Sequence, residues 1–561
     1  MNAQLDSSPH PGRSEGLAGP VPQWWLVAAG ATIALLYLAG VVNAWWPTPD
    51  SALYHGLGRN LMEGKGYVFN GHPHTTVTPG LPVLLGVTEL LAGQDAFWAK
   101  NLIMCLTGLA SLAVAYATLR RMVEPRPAFA AVLAAALCYV YYDHSHLILT
   151  DAPFALLFWA VAYSARRMLN GSWAWAVAAA ILSAGAVLIR LPGLALLGPL
   201  AVAVAVDKSP PSAEVGYRAG TGRRLVICGL ILVSIVATAG AFYLVVRSVT
   251  NEPSLYIASY LTNPQRGLGF RAWQVALLAV KLPETTGHLF TGLHGPWIML
   301  LGYPLLAVIG TGMTNLWRRG IRLPAVAVVL SVLTLVLVSN VNASRARYLM
   351  PLAPLFALGL IEGVATWAGW LRRRRGMEVT TRSLTRAMIV TAMVVGAVNA
   401  PWLLRSAFYY SYQGHRGRYL DVIEGGKYAD LYATAEYVKS AVASGEKVYV
   451  RRDRVRMLHL LSGKFIEPLY WFGANNPWNA TQADVVYRDL LARPTVDVVV
   501  HDPGGLDARY TDRLTELLSG TSGLLPARKV GRTRIYRRSG MIAPEAGPGR
   551  TGTPDATPSA R

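Results

Sequence analysis

The stretch WWPTPDSALYHGLGRNLMEGKGY, Trp45 to Tyr67, places an aspartate, Asp50, a few residues beyond the Trp pair that ends a long apolar run. An acid in that position has two readings. It is the N-cap of a helix starting at Ser51, with Arg59, Glu63 and Lys65 on the solvated face. Alternatively, it is a general base that accepts a proton from an attacking hydroxyl. Other charges gather at the same kind of position: Asp143, Asp151, Arg190, Lys281, Arg345 and Arg347 all fall near ends of apolar runs. Charged groups inside lipid are costly, so this distribution outlines a site at the mouth of a helix bundle. Glu362, about halfway along its run, reads as a carboxylate turned into the bundle and bonded to a neighbour.

The elements that must position these residues are apolar helices. The chain has 561 residues, 53% of them hydrophobic and 15% charged, with a formal net charge of +21. Runs long enough to cross a bilayer lie near residues 24–44, 98–119, 128–142, 152–165, 173–189, 191–206, 225–246, 296–315, 323–339, 352–371 and 387–404, about eleven spans in all. The basic residues cluster in short connections: Arg120, Arg121 and Arg126, then Arg166 and Arg167, then Arg218, Arg223 and Arg224, then Arg318, Arg319 and Arg322, then Arg372 to Arg375. That clustering reads as the positive-inside bias, with the N-terminus in the cytoplasm and the C-terminus outside, and it removes any need for a nucleic-acid partner. The first run reads as a retained helix after a disordered 1–23, not as a cleaved signal peptide. Residues 79–92 are too short to span and read as an interfacial piece.

The outer face then carries loop 45–97, the loop 143–151, a stretch 247–295 and a tail domain 405–538, before a disordered 539–561. In the tail, ADLYATAEYVKSAVA and RVRMLHLLSG read as helices. KVYVRR, VDVVVHD and RKVGRTRIYRR read as strands of a small α/β domain. Cys105, Cys138 and Cys228 sit in apolar runs, which argues against a disulfide framework or a cysteine metal site.

The Trp-rich helix end followed by Asp50 and Tyr54, LMEGKGY, the PGLP stretch at Pro79, TDAP at Thr150–Pro153 and SRARYLMPLAP at Ser344–Pro354 resemble the lipid-dependent GT-C glycosyltransferases. The resemblance is to the branch of protein O-mannosyltransferases and aminoarabinose transferases. It implies an all-α polytopic membrane domain with a small extracytoplasmic α/β domain. It also implies a cell-envelope enzyme of the inner membrane that moves a sugar, with inversion, from a polyprenyl-phosphate donor to a hydroxyl of a glycan, lipid or protein acceptor.

Carried over on that resemblance, Asp50 is the catalytic base and Asp151 the second outer-loop acid, which positions the acceptor or a divalent metal. Arg345, Arg347 and Tyr348 match the stretch beside a late helix that contacts the donor phosphate, a role arginine's planar fork suits. Lys65, Lys281 and Arg190 are weaker phosphate ligands. Without the resemblance, Asp151 reads as the N-cap of the next span and the arginines as snorkelling cations. His55, His72, His74, His144 and His146 lie in outer loops, and His144 and His146 near Asp151 invite a metal; no metal ligands are assigned. The family's lysine just before the first-loop proline is Thr78 here, so its role is not transferred. The competing classes are a transporter or lipid flippase, which would show internal repeats and polar midplane residues, and a noncatalytic protein presenting its outer domain.

Overall fold

The computed structural model describes residues 21–538 apart from 170–171, 208–219, 251–267, 294, 296, 339–345, 424–427, 444, 451, 469–495, 502–515, 517, 519 and 521–523. The chain forms two compact units. The first takes the chain up to Trp46, Tyr54–Val68 and Pro73–Tyr419; the second takes Pro47–Leu53, Phe69–His72 and the chain from Leu420.

The helices are α1 (Gln23–Ala39), α2 (Pro49–Met62), α3 (Gly80–Ala92), α4 (Phe97–Leu119), α5 (Pro125–Ala136), α6 (Tyr139–His144), α7 (Asp151–Leu169), α8 (Ala174–Ile189), α9 (Leu194–Val206), α10 (Thr221–Thr250), α11 (Leu268–Thr291), α12 (Ile298–Arg318), α13 (Leu323–Val338), α14 (Ala353–Arg374) and α15 (Thr381–Leu404). Every apolar run expected to span contains a helix. Five segments, Phe97–Leu119, Thr221–Ser248, Ile298–Arg318, Ala346–Arg374 and Thr381–His415, are long and apolar enough on their own to cross a membrane. α11 lies in the stretch expected to be an outer loop.

Two of the runs are interrupted, and buried asparagines account for both breaks. α1 stops at Ala39 although the apolar sequence continues. A Cβ on Gly40 would strike Tyr142 Oη and His146 Nε2. Past that point Asn101 of α4 donates to the carbonyls of Val42 at 2.8 Å and Ala44 at 2.9 Å. The run at 128–142 divides into α5 and α6. Asn399 of α15 accepts from the Tyr139 amide at 2.9 Å and donates to the Phe290 carbonyl at 2.7 Å. Non-helical backbone among apolar helices needs such partners, because no water supplies them.

Close approach is obtained with glycine. A Cβ on Gly312 of α12 would collide with the Gly359 carbonyl of α14, one on Gly363 with the Val308 carbonyl, and one on Gly302 with the Pro283 carbonyl of α11. Small residues at such seams let helices pack where lipid gives no hydrophobic drive. As expected, Glu362 of α14 is buried and bonded, with Arg319 Nη1 at 3.3 Å from both oxygens.

In the second unit, α16 (Leu431–Ala441) and α17 (Arg452–Ser462) accompany a five-stranded mixed sheet. Loop 45–97 contributes the two-residue strands β1 (Val68–Phe69) and β2 (His72–Pro73). The sheet is formed by β3 (Val448–Val450), β4 (Ile466–Pro468), β5 (Val498–His501), β6 (Leu524–Val530) and β7 (Thr533–Arg538) in the order β4-β3-β5-β7-β6. β3 pairs parallel with β4 and β5; β7 pairs antiparallel with β5 and β6. All four residues of β5 are buried, consistent with its run of three valines.

Gly312→Val is expected to lower the melting temperature by an amount corresponding to about 1–3 kcal/mol or to prevent recovery of monodisperse protein. Gly310→Val, two positions away where a Cβ meets nothing within 4 Å, is expected to leave it unchanged; thermal denaturation of both variants in one detergent makes the comparison.

Candidate functional site

In the first unit, four of the residues singled out from the sequence come together. Asp151 opens α7, and Arg190 stands where α8 ends. The break at Arg190 has a local cause: Pro192 follows within two residues, and Gly193 sits where a Cβ would strike the Phe154 ring of α7. The Arg190 backbone is extended, with φ −153° and ψ 104°, and its guanidinium Nη1 donates to Asp151 Oδ1. Asp151 is 1% exposed and Arg190 8%, so the pair is out of water.

Arg347 and Tyr348 come from a 3₁₀ segment, Ala346–Leu352, held to α7 by Trp159 Nε1 donating to the Pro351 carbonyl at 2.9 Å. Both guanidiniums flank one ring: Arg190 lies 4.8 Å and Arg347 5.0 Å from the Tyr348 centroid. Arg347 Nη2 also donates to the Tyr348 hydroxyl at 3.3 Å.

His144, at the end of α6, faces Asp151, Arg347, Arg190 and His288 of α11. Burial first, then the arginines, push its ring down to about 4 against the pull of Asp151. Two guanidiniums set against one ring, beside a buried carboxylate, suit an anion that accepts from planar donors, a phosphate above all.

The remaining candidates lie elsewhere. Lys65 pairs with Glu63 at 2.6 Å and is largely exposed; Lys281 pairs with Glu284 on its own helix at 2.7 Å. Arg345 lies outside the described residues. His146 bonds the Tyr142 and Tyr37 carbonyls at 2.8 and 2.7 Å, and His74 bonds Thr76 at 2.5 Å. No group of three or more possible metal ligands occurs among the described residues.

Asp50 is found in the second unit. The cap of α2 is Thr48, not Asp50: Ser51 N donates to Thr48 Oγ1 at 3.0 Å, and Thr48 N donates to Ser51 Oγ at 3.1 Å. The helix begins at Pro49, which fits the first helical position. Asp50 thus sits in the first turn with capping done by a neighbour, and its Oδ1 accepts from Arg456 Nη1 of α17 at 3.1 Å. In the same unit, Asn70 and Gly71 have φ 52° and 78°, the turn that suits a two-residue hairpin. Asn70 then bonds Ile466 in both directions, at 2.7 and 3.0 Å.

A second buried cluster of the first unit was not singled out from the sequence. Lys100 of α4, 0% exposed, donates to Glu89 Oε1 of α3 at 2.7 Å and to the Gln94 carbonyl at 2.7 Å. Arg59 and His55 of α2 reach the same carboxylate at 3.4 and 3.3 Å. Burial raises the Glu89 pKa, but the bonds from His55 and Lys100 outweigh that and hold it down at about 2. Burial lowers His55 to about 4 despite its bond to Glu89. The ring donates from Nδ1, and its Nε2 is buried without a partner, so a second proton there would find no acceptor. The sequence signal was slight: a single Glu in the apolar GLPVLLGVTELLA and a Lys inside the start of an apolar run.

The sequence profile of the dolichyl-phosphate-mannose-protein mannosyltransferases matches residues 72–216. No curated protein sequence matches the chain. The fold is shared with ArnT from Cupriavidus metallidurans in the apo state, at a TM-score of 0.55 and 16% identity, covering 93% of this chain and 99% of that one. ArnT bound to undecaprenyl phosphate gives 0.54 and 15%, covering 94% and 100%. Archaeal oligosaccharyltransferase AglB from Archaeoglobus fulgidus, in complex with an inhibitory peptide and a dolichol-phosphate, gives 0.51 and 12%, covering 93% and 75%. The architecture is therefore the GT-C fold with a small C-terminal sheet domain.

Between pH 6.5 and about 4 the unfolded chain holds a proton on His55 that the folded chain refuses, so stability falls as pH drops through that window, by up to about 3 kcal/mol. His55→Gln keeps a donor for Glu89 and removes the titration. Its melting temperature is expected to vary less than that of the wild type between pH 6.5 and 4.5, as scanning calorimetry at stepped pH would show.

Proposed function

We propose that this protein is a membrane glycosyltransferase that moves a sugar from a polyprenyl-phosphate donor to an acceptor hydroxyl at the outer face of the cytoplasmic membrane. The observation that carries the reading is the convergence of the Arg190 and Arg347 guanidiniums on the Tyr348 ring, with Arg190 held by the buried carboxylate of Asp151. A presenting scaffold has no need of that arrangement. The shared fold, the mannosyltransferase profile and the undecaprenyl phosphate held by ArnT point to the same chemistry.

In this reading the lipid tail stays in the bilayer and the phosphate enters at headgroup depth. The arginine forks hold its oxygens and stabilise the negative charge that grows as the sugar leaves. Tyr348 keeps the two guanidiniums apart and stacked, so they are oriented before the donor arrives. Asp151 fixes Arg190. The acceptor oxygen attacks the sugar's anomeric carbon from the face opposite the phosphate, the bond to the phosphate oxygen breaks, and the configuration inverts. The hydroxyl proton passes to Asp50.

Asp50 suits that role because Thr48 does the capping in its place, with Arg456 as its ion-pair partner. A divalent metal is not required by these steps. The acceptor is a hydroxyl of a glycan, a lipid or a protein.

The test is release of polyprenyl phosphate by purified protein in nanodiscs, with a panel of polyprenyl-phosphate sugars and membrane extract as acceptor source. Asp50→Asn is expected to reduce release by about a hundredfold or more while folding is retained, the size typical of losing a general base. Release near the wild-type rate in that variant would remove Asp50 from the role. No release from any donor by wild-type protein shown to be folded would overturn the assignment as a transferase.

A further inference from the structure

Helix α7 carries Asp151 at one end and Arg166 near the other, about 22 Å away along the helix. At the Arg166 end a second buried ion pair forms. Asp207, 1% exposed, accepts from Arg166 Nη1 at 2.5 Å through Oδ2. Its Oδ1 accepts from the amides of Arg322 and Leu323 at 2.9 and 3.2 Å, which caps the start of α13. Arg224 Nη1 donates to the Asp207 carbonyl, and Arg166 Nη2 donates to the Arg121 carbonyl at 3.1 Å. Four arginines from four parts of the chain are thereby tied to one spot, beside a carboxylate already engaged by one of them and by two amides.

Among the described residues the charges there do not balance. The other nearby acids, Glu124 and Glu362, face Arg319 at 3.8 and 3.3 Å. Among the described residues, Arg121, Arg224 and Arg322 have no carboxylate within ion-pair distance. Each also has a buried Nε with no hydrogen-bond partner. Exposed aromatic rings mark the depth: Arg223 lies over Trp173 and Arg322 over Trp317, at 5.7 and 5.1 Å, with the two rings 52% and 44% exposed. Tryptophans exposed at the ends of apolar helices sit at headgroup level.

We infer that Arg121, Arg224 and Arg322, gathered on the Arg166–Asp207 pair, bind the phosphate of an anionic phospholipid headgroup in the leaflet opposite the Asp151 cluster. The guanidinium fork matches a phosphodiester, and basic pockets between membrane helices recognise such headgroups. The lipid, rather than free phosphate, is the source because the pocket lies at the level of the tryptophan rings, where acyl chains would lie along the exposed sides of α8 and α10. The site is separate from the proposed donor site by most of the length of α7.

The test uses the full-length protein. Native mass spectrometry measures retention of phosphatidylglycerol against phosphatidylcholine, and melting temperatures are taken in nanodiscs of each lipid. The wild type is expected to retain phosphatidylglycerol preferentially and to melt higher in it. Arg121→Gln/Arg224→Gln is expected to lose roughly tenfold or more of that retention, with its melting temperature in phosphatidylcholine unchanged. Should the double variant fail to fold, Arg322→Gln repeats the comparison, because the amide bond of that residue to Asp207 is kept. Equal retention of the two lipids, or undiminished phosphatidylglycerol on the variants, would overturn the site. Displacement of the lipid by millimolar inorganic phosphate would overturn the lipid assignment.

Discussion

A carboxylate among packed apolar helices must have a cation beside it, and this constraint organises the helical unit. Asp151 has Arg190, Glu89 has Lys100, Asp207 has Arg166 and Glu362 has Arg319. Each of these carboxylates is at most 6% exposed. Removing one partner of such a pair leaves an uncompensated buried charge, at a cost of about 3–5 kcal/mol. Each pair joins two different helices or their ends, so the pairs fix which helix ends meet. What stands beside the pairs is as informative as the pairs. Arg347 lies beside the first pair and three arginines beside the third. Guanidiniums gathered at the ends of packed helices are where an anionic ligand gains most.

The same economy governs the backbone. Interrupted helices create the mouths at which side chains such as Arg190 can turn inward, but each interruption exposes amides and carbonyls. Asn101 and Asn399 satisfy several of them with a single side chain each. Glycines at Gly312, Gly359 and Gly363 bring α12 and α14 together closely enough that Glu362 and Arg319 meet. Polar residues in the helical unit therefore do structural as well as chemical work.

Much of this was legible in the sequence, because apolar length and arginine clustering are strong local signals. The helices fall where the runs were read, and the strands of the C-terminal domain follow its alternating and continuous apolar stretches. The grouping of Asp151, Arg347 and Tyr348 with Arg190 was half legible. Resemblance pointed to Asp151, Arg347 and Tyr348, while Arg190 stood among the weaker phosphate ligands, since nothing in its neighbourhood shows that Gly193 and Phe154 turn the chain toward Asp151. Lys65 and Lys281 looked equivalent to it in sequence, yet each has an acid a few residues away that claims it. The Asn70-Gly71 turn carried a usable hairpin signal that the apolar pattern obscured. Glu89 with Lys100 carried almost none, because a pair formed between two helices leaves no spacing to read. Asp50 as an N-cap was a fair expectation that Thr48 displaced, two residues earlier. α11 was hidden by its mixed composition, with Lys281, Pro283 and Glu284 breaking an otherwise apolar helix.

The account stands on the claim that the Arg190–Arg347–Tyr348 group receives a lipid-linked phosphate. An experimental structure of the protein with polyprenyl phosphate bound tests it most directly. The account predicts phosphate density within hydrogen-bond distance of the Arg347 and Arg190 guanidiniums. Phosphate density elsewhere, with Arg347 making no contact to it, would contradict the account.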